Sequence, residues 1–188
     1  MSGPQSTQIL CFATHGEDHL DAERLRYLLE PLSPESYPFD HARKLRSAIG
    51  LARVVRTQRP SLVVMEGTGL AGGITLLALS IVLRVPFVVA SGDAVGPYLR
   101  LCSRLAGILG GLYERLLCRR CAGYIGWTPY LVGRAITFGA RHAMTTRSPG
   151  FTIVTSPPTA STTPAPSWPR RIGKGIPQPP VSTTCRSV

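Results

Sequence analysis

Apolar and mixed stretches alternate along the chain with short interruptions. Residues 8–14 (QILCFAT), 61–65 (SLVVM), 87–90 (FVVA), 123–126 (GYIG) and 142–145 are brief and largely apolar, and the pattern predicts strands there. Helical patterns fill the gaps. Leu25, Leu28 and Leu29 recur at helical spacing, with Asp21 expected to cap that helix. Pro31, Pro34 and Pro38 mark a loop with a short extended piece at residues 37–39. Residues 41–58 read as an amphipathic helix, with Leu45, Ile49, Ala52 and Val55 inward and Arg43, Lys44, Arg46, Arg53 and Arg56 in water. Residues 71–84 predict an almost wholly apolar helix, stopped by Pro86, and residues 98–120 a long one broken near Gly110-Gly111. Thr128-Pro129 supplies an N-cap and first-turn proline for a helix to about Phe138, with Gly139 as its C-cap.

Strands that are apolar throughout, each followed by a helix over a short connection, imply the α/β class. The expected architecture is a Rossmann-like parallel sheet with helices on both faces and right-handed crossovers. Ligands of such sheets bind outside the carboxyl ends of the strands. Three loops fall at such ends: residues 15–19, 66–69 and 91–93.

Charge changes the picture only at the far end. The net charge of +11 suggests a nucleic-acid binder, but residues 1–114 carry eleven Lys/Arg against ten Asp/Glu. Residues 115–188 hold the other ten Lys/Arg and no acid, so the excess belongs to the last part of the chain. Aromatic residues do not interleave with the basic ones, and no helix-turn-helix, zinc, P-loop or GxGxxG pattern occurs, so no nucleic-acid partner is expected. Cys11, Cys102, Cys118, Cys121 and Cys185 are scattered and odd in number, unlike a disulfide framework. Cys118 and Cys121 have CxxC spacing but lack a second pair, so no metal site is expected. Residues 147–188 hold nine Pro and thirteen Ser/Thr without apolar periodicity, which predicts disorder. The expected organisation is a flexible start over residues 1–7, a domain over 8–146 and this tail. Residues 67–83 carry no charge, close to membrane-spanning length, but the crowded glycines at their start and Arg84 and Pro86 at their end favour a core helix. The N-terminus lacks a secretory pattern, so the expected location is cytoplasmic. Arg100, Arg104, Arg115, Arg119 and Arg120 on the long helix suggest peripheral contact with the inner face of the membrane.

Residues 113–128 (YERLLCRRCAGYIGWT) resemble the end of the N-terminal domain of family 4 glycosyltransferases, which have the two-domain GT-B fold. Glu114 matches the family's acid, Arg120-Cys121-Ala122 matches its Arg-Ala-Asp loosely, and Thr128 matches its helix start. Residues 59–64 (RPSLVV) and 84–89 (RVPFVV) are similar to the family's strand entries, and the resemblance covers about residues 8–146. It implies transfer of a glycosyl group, with retention, from a nucleotide sugar to a glycan or small-molecule acceptor. The implied catalytic residues are Asp93, to orient or deprotonate an acceptor hydroxyl, and His15 and His19, to do likewise or polarise the sugar. The implied substrate-binding residues are Gly16, Glu17, Glu66, Gly67, Gly69 and Gly92. Helix N-termini after Gly16 and Gly69 would offer N–H groups to the leaving diphosphate. Gly92 stands where the family often has histidine, and Gly16 alone stands where it often has two glycines. Glu114 is expected in a surface ion pair, and Trp127 and Tyr130 in packing. The family's Glu-x7-Glu motif belongs to a second, donor-binding domain, and no acid follows Glu114. The expectation is therefore half of a GT-B fold, truncated or frameshifted after about residue 146. No cofactor is expected in this chain, and a nucleotide-sugar donor is implied for the complete enzyme. The alternative is a basic nucleic-acid-binding or membrane-associated α/β protein without catalysis.

Overall fold

Each apolar run becomes a strand of one sheet in the computed structural model, which describes residues 8–146 and the strand Ile153–Val154. The strands are β1 (Ile9–Ala13), β2 (Glu35–Ser36), β3 (Leu62–Glu66), β4 (Phe87–Ser91), β5 (Gly123–Gly126), β6 (Ala143–Thr145) and β7 (Ile153–Val154). Their order is β2-β1-β3-β4-β5-β6-β7, parallel throughout except for the antiparallel β6–β7 pair. The helices are α1 (Leu20–Leu29), α2 (Lys44–Gln58), α3 (Leu70–Val82), α4 (Val95–Arg100), α5 (Arg104–Arg120) and α6 (Pro129–Thr137).

The alternation of side chains along each strand divides the core in two. Leu10, Phe12, Val63, Met65, Phe87 and Val89 face a large cluster completed by Leu51 and Val55 of α2, Leu76 of α3, Leu117 of α5 and Leu131 of α6. Ile9, Cys11 and Val64 face the other way, against Leu25 and Leu29 of α1. Helices thus cover both faces, as the sequence pattern requires.

Local predictions fail where side chains outweigh periodicity. The short extended piece lies at Glu35–Ser36, not 37–39: Tyr37 N donates the last bond to β1, at Cys11 O, and the chain then turns into the core at Phe39. His19, not Asp21, caps α1: its Nδ1 accepts from Asp21 N at 3.4 Å, and Asp21 sits in the first turn. A 3-10 turn over His41–Arg43 precedes α2, with the Asp40 carboxylate accepting from Ala42 N. The buried side of α2 carries Ser47, Ala48, Leu51 and Val55, while Leu45 and Ile49 are 78% and 57% exposed. Two polar anchors set that rotation. Asp40 N donates to Ser47 Oγ at 3.0 Å, and Tyr37 OH donates to Ser47 O at 2.9 Å, lying where a side chain at Gly50 would stand.

The long helix breaks at residues 101–103, where Ser103 caps α5 by accepting from Ala106 N. Gly110 stays helical because it lets α4 approach: a Cβ there would lie 3.2 Å from Gly96 Cα. That close packing buries Glu114, which accepts from Gly96 N and pairs with Arg134 through both oxygens, at 2.9 and 2.7 Å. The expected ion pair is real, but it lies inside the fold and ties α4, α5 and α6 together. Among the described residues no helix is long and apolar enough to cross a membrane. The flexible start at 1–7 and, apart from Ile153–Val154, the disordered tail at 147–188 lie outside the described residues.

Candidate active site at the carboxyl ends of the strands

Parallel register brings the ends of four strands to one edge. Ala13 pairs with Glu66, Glu66 with Ala90, and Ser91 with Gly126. Backbone bonds then staple the following loops together: Thr14 N to Glu66 O at 2.9 Å, Gly67 N to Ala90 O at 2.8 Å, and Trp127 N to Ser91 O at 3.1 Å. The result is a continuous rim carrying nearly every residue singled out from the sequence.

At one end of the rim, Gly16 adopts φ +103°, a conformation that suits glycine, and folds the loop back over α1. His15 Nδ1 lies 2.8 Å from Asp21 Oδ2, and its ring stacks on His41 at a centroid distance of 5.6 Å. His41 Nδ1 donates to Thr14 O at 3.2 Å. Glu17 leaves the rim, its carboxylate accepting from Ser36 Oγ on β2. The expected anion site at the start of α1 is not there: its end is capped by His19 and its first turn carries Asp21 and Glu23.

The start of α3 is the contrary case. Its cap is Gly69, with no side chain bonded to the free N–H groups and no acid in the first turn. Gly67 takes φ +85°, and a Cβ on it would collide with Thr14 Oγ1, so only glycine fits between β1 and the helix. A cavity of about 310 Å³ opens there, lined by Thr14, His15, His41, Lys44 and the first turn of α3, together with the apolar Phe39, Leu45 and Ile74. N–H groups, a helix dipole and basic side chains around one cavity suit an anion.

At the centre of the rim stands Glu66, only 1% exposed. Trp127 Nε1 donates to its Oε1 at 2.8 Å, while Oε2 is buried with no hydrogen-bond partner. Burial pushes its carboxyl pKa up to about 7; the Trp127 bond and Arg24 pull it down, and Asp21 and Asp93 push it up. Arg24 also caps the Trp127 ring, 5.0 Å from its centroid. Gly92 lies against the same ring, where a Cβ would sit 3.4 Å from Trp127 Cδ1. Asp93 is exposed beside it, its backbone held to Ser91 Oγ.

The structure therefore gathers His15, His19, Glu66, Gly67, Gly69, Gly92 and Asp93 on one edge and leaves Glu17 off it. Sequence reading missed Trp127, Arg24, His41 and Thr14. Trp127 and Thr14 each follow the last residue of a strand or come within one of it, a positional signal that would have found them. His15, His19 and Asp21 also offer ligand atoms within 4.8 Å of one another, although no metal was expected. Cys118 and Cys121 are buried thiols pushed up to about 12, chiefly by burial, and they bring no redox chemistry to the rim.

The structure of MurG from Acinetobacter baumannii is similar at 12% identity and a TM-score of 0.36, over 65% of this chain and 42% of that one. That of S. aureus MnaA with UDP is similar at 13% identity and a TM-score of 0.40, over 71% and 41%. The chain thus spans about two-fifths of each, and likeness at this level says nothing of substrate. No curated protein matches. Residues 5–150, most of the chain, match the sequence profile of the glycosyl transferase 4-like domain, and the chain belongs to that family.

Proposed function

We propose that this domain is the acceptor-side wall of a nucleotide-sugar-dependent glycosyltransferase cleft. The observation that carries this is the single rim formed by four strand ends, with a buried, half-bonded carboxyl at its centre and an uncapped helix start beside it. In the reaction, the bond between the sugar's anomeric carbon and the diphosphate breaks and one to the acceptor oxygen forms. The acceptor's proton passes to a base and the negative charge to the diphosphate. Asp93 orients the acceptor hydroxyl and takes its proton. Glu66, buried beneath the rim, positions the Trp127 ring through Oε1 and does not itself reach the substrate. The first turn of α3, with His41 and Lys44, meets a phosphate group. His15 and His19 position the sugar.

A cleft with one wall leaves these groups wet and weakens each contact. The 188 residues alone are therefore expected to turn over little or no nucleotide sugar. The test is product formation from labelled nucleotide sugars, by this chain and by the chain joined to a donor-binding domain. Transfer only by the joined form, lost in Asp93→Ala, supports the reading. Turnover by this chain alone, or indifference to Asp93→Ala, refutes it.

The reading includes peripheral contact with the inner face of the membrane. Leu105, Ile108, Leu109 and Leu112 of α5 are 55–67% exposed in one stripe. Helical spacing sets Arg104 and Arg115 along one border and Arg120 along the other, the arrangement of an interfacial helix on anionic lipid. Co-sedimentation with phosphatidylglycerol vesicles, lost in Ile108→Glu and absent with phosphatidylcholine, is the expected result. Equal binding to both lipids, or none, contradicts it.

A further inference from the structure

We propose that His15, His19 and Asp21 form a binding site for a divalent transition-metal ion of the zinc class. The loop after β1 reads His-Gly-Glu-Asp-His-Leu-Asp, and the positive φ of Gly16 folds its first histidine back onto its last acid. Asp21 Oδ2 then has two imidazole nitrogens beside it, His15 Nδ1 at 2.8 Å and His19 Nδ1 at 3.1 Å. His15 can donate a proton to that oxygen. His19 Nδ1 has a single lone pair, which caps α1 by accepting from Asp21 N at 3.4 Å in the metal-free chain and turns to the ion when one binds.

The spacing suits a metal. Zinc bonds of about 2.0–2.1 Å set tetrahedral ligands about 3.3 Å apart, so the His19 contact needs to open by about 0.2 Å and the His15 contact by about 0.5 Å, small shifts for exposed side chains. Two imidazoles and a carboxylate form a borderline-soft donor set of the kind zinc and its neighbours take. Surrounding groups hold the ligands in place. His41 stacks on His15, and Arg24 reaches the other Asp21 oxygen at 3.6 Å, leaving Oδ2 to the histidines. Three protein ligands leave a fourth position for water or a ligand oxygen. A bound dication would pin the β1 loop to α1 and add positive charge at the rim. None of this requires sugar transfer.

The experiment uses the tag-free, chelator-treated 188-residue chain, titrated with Zn²⁺ by calorimetry and with Co²⁺ by visible absorption. One ion per chain is expected. His19→Ala and Asp21→Asn should each bind at least about tenfold more weakly, as ligand loss costs no less than loss of a supporting group. His142→Ala, an exposed histidine elsewhere, should bind like wild type. Zn²⁺ should also raise the Tm of wild type and of His142→Ala, and not that of His15→Gln, which answers the case where another variant folds poorly. Absence of saturable binding, or binding unchanged in these ligand variants, overturns the proposal.

Discussion

Replacing Glu66 by Gln tests the central carboxyl through stability alone. The side chain is 1% exposed, and burial moves its pKa from the ordinary 4.5 to about 7. Between those values the unfolded chain has released the proton and the folded chain keeps it. Stability must therefore fall as pH rises across that window and level off above it. At about 1.4 kcal/mol per pH unit, the loss approaches about 3 kcal/mol by pH 8. Gln keeps a carbonyl oxygen for Trp127 Nε1 and never ionises. Its amide adds N–H donors beside an atom with no partner, which costs about 1–3 kcal/mol at every pH. The informative quantity is thus the slope and not the offset. Urea denaturation of both proteins from pH 4.5 to 8 should show the variant gaining on wild type by about 1.4 kcal/mol per pH unit up to about pH 7, then running parallel. A constant difference across the range would mean that Glu66 ionises like an exposed carboxylate, and the account of the rim's centre would be wrong.

Further outcomes follow from other contacts. Trp127→Phe removes the hydrogen bond that lowers the Glu66 pKa, so the carboxyl should titrate above 7, as read by carbon NMR of the side chain. Arg134→Met leaves Glu114 buried without its partner and should cost about 3–5 kcal/mol. A cycle with Glu114→Gln should recover much of that in denaturant melts. Gly67→Ala should lose about 1–2 kcal/mol from its left-handed backbone and about 1–3 more from the clash with Thr14, seen as a lower Tm. Cys118 and Cys121, with thiols near 12, should resist alkylation in the native protein at pH 8 and react once it is unfolded.

What the sequence made legible follows from what composition can encode. Continuous apolar runs allow one reading, a strand covered on both faces, and β1, β3, β4 and β5 formed at those runs. Caps set by local side chains, such as Thr128 before α6, were equally plain. The rotation of α2 was not, because Tyr37 and Asp40 fix it from outside the helix. Nor was the depth of Glu114, which depends on how closely Gly96 lets α4 approach α5. The strand-end loops were located from the β/α alternation alone, but the partnership of Glu66 with Trp127, 61 residues apart, needed the register of β3, β4 and β5. His15 and Asp21 are close in sequence, yet only the turn at Gly16 brings them together.

The central claim is that the carboxyl ends of β1, β3 and β4 form a ligand-binding edge with the start of α3 as its anion end. Amide NMR of the chain titrated with inorganic diphosphate, then with UDP, tests it most directly. Saturable shifts confined to residues 67–73 and the side chains of His15 and His41, with residues 20–22 unmoved, are the predicted result. Shifts centred on the start of α1 or on the opposite edge of the sheet, or no saturable shift, would contradict it.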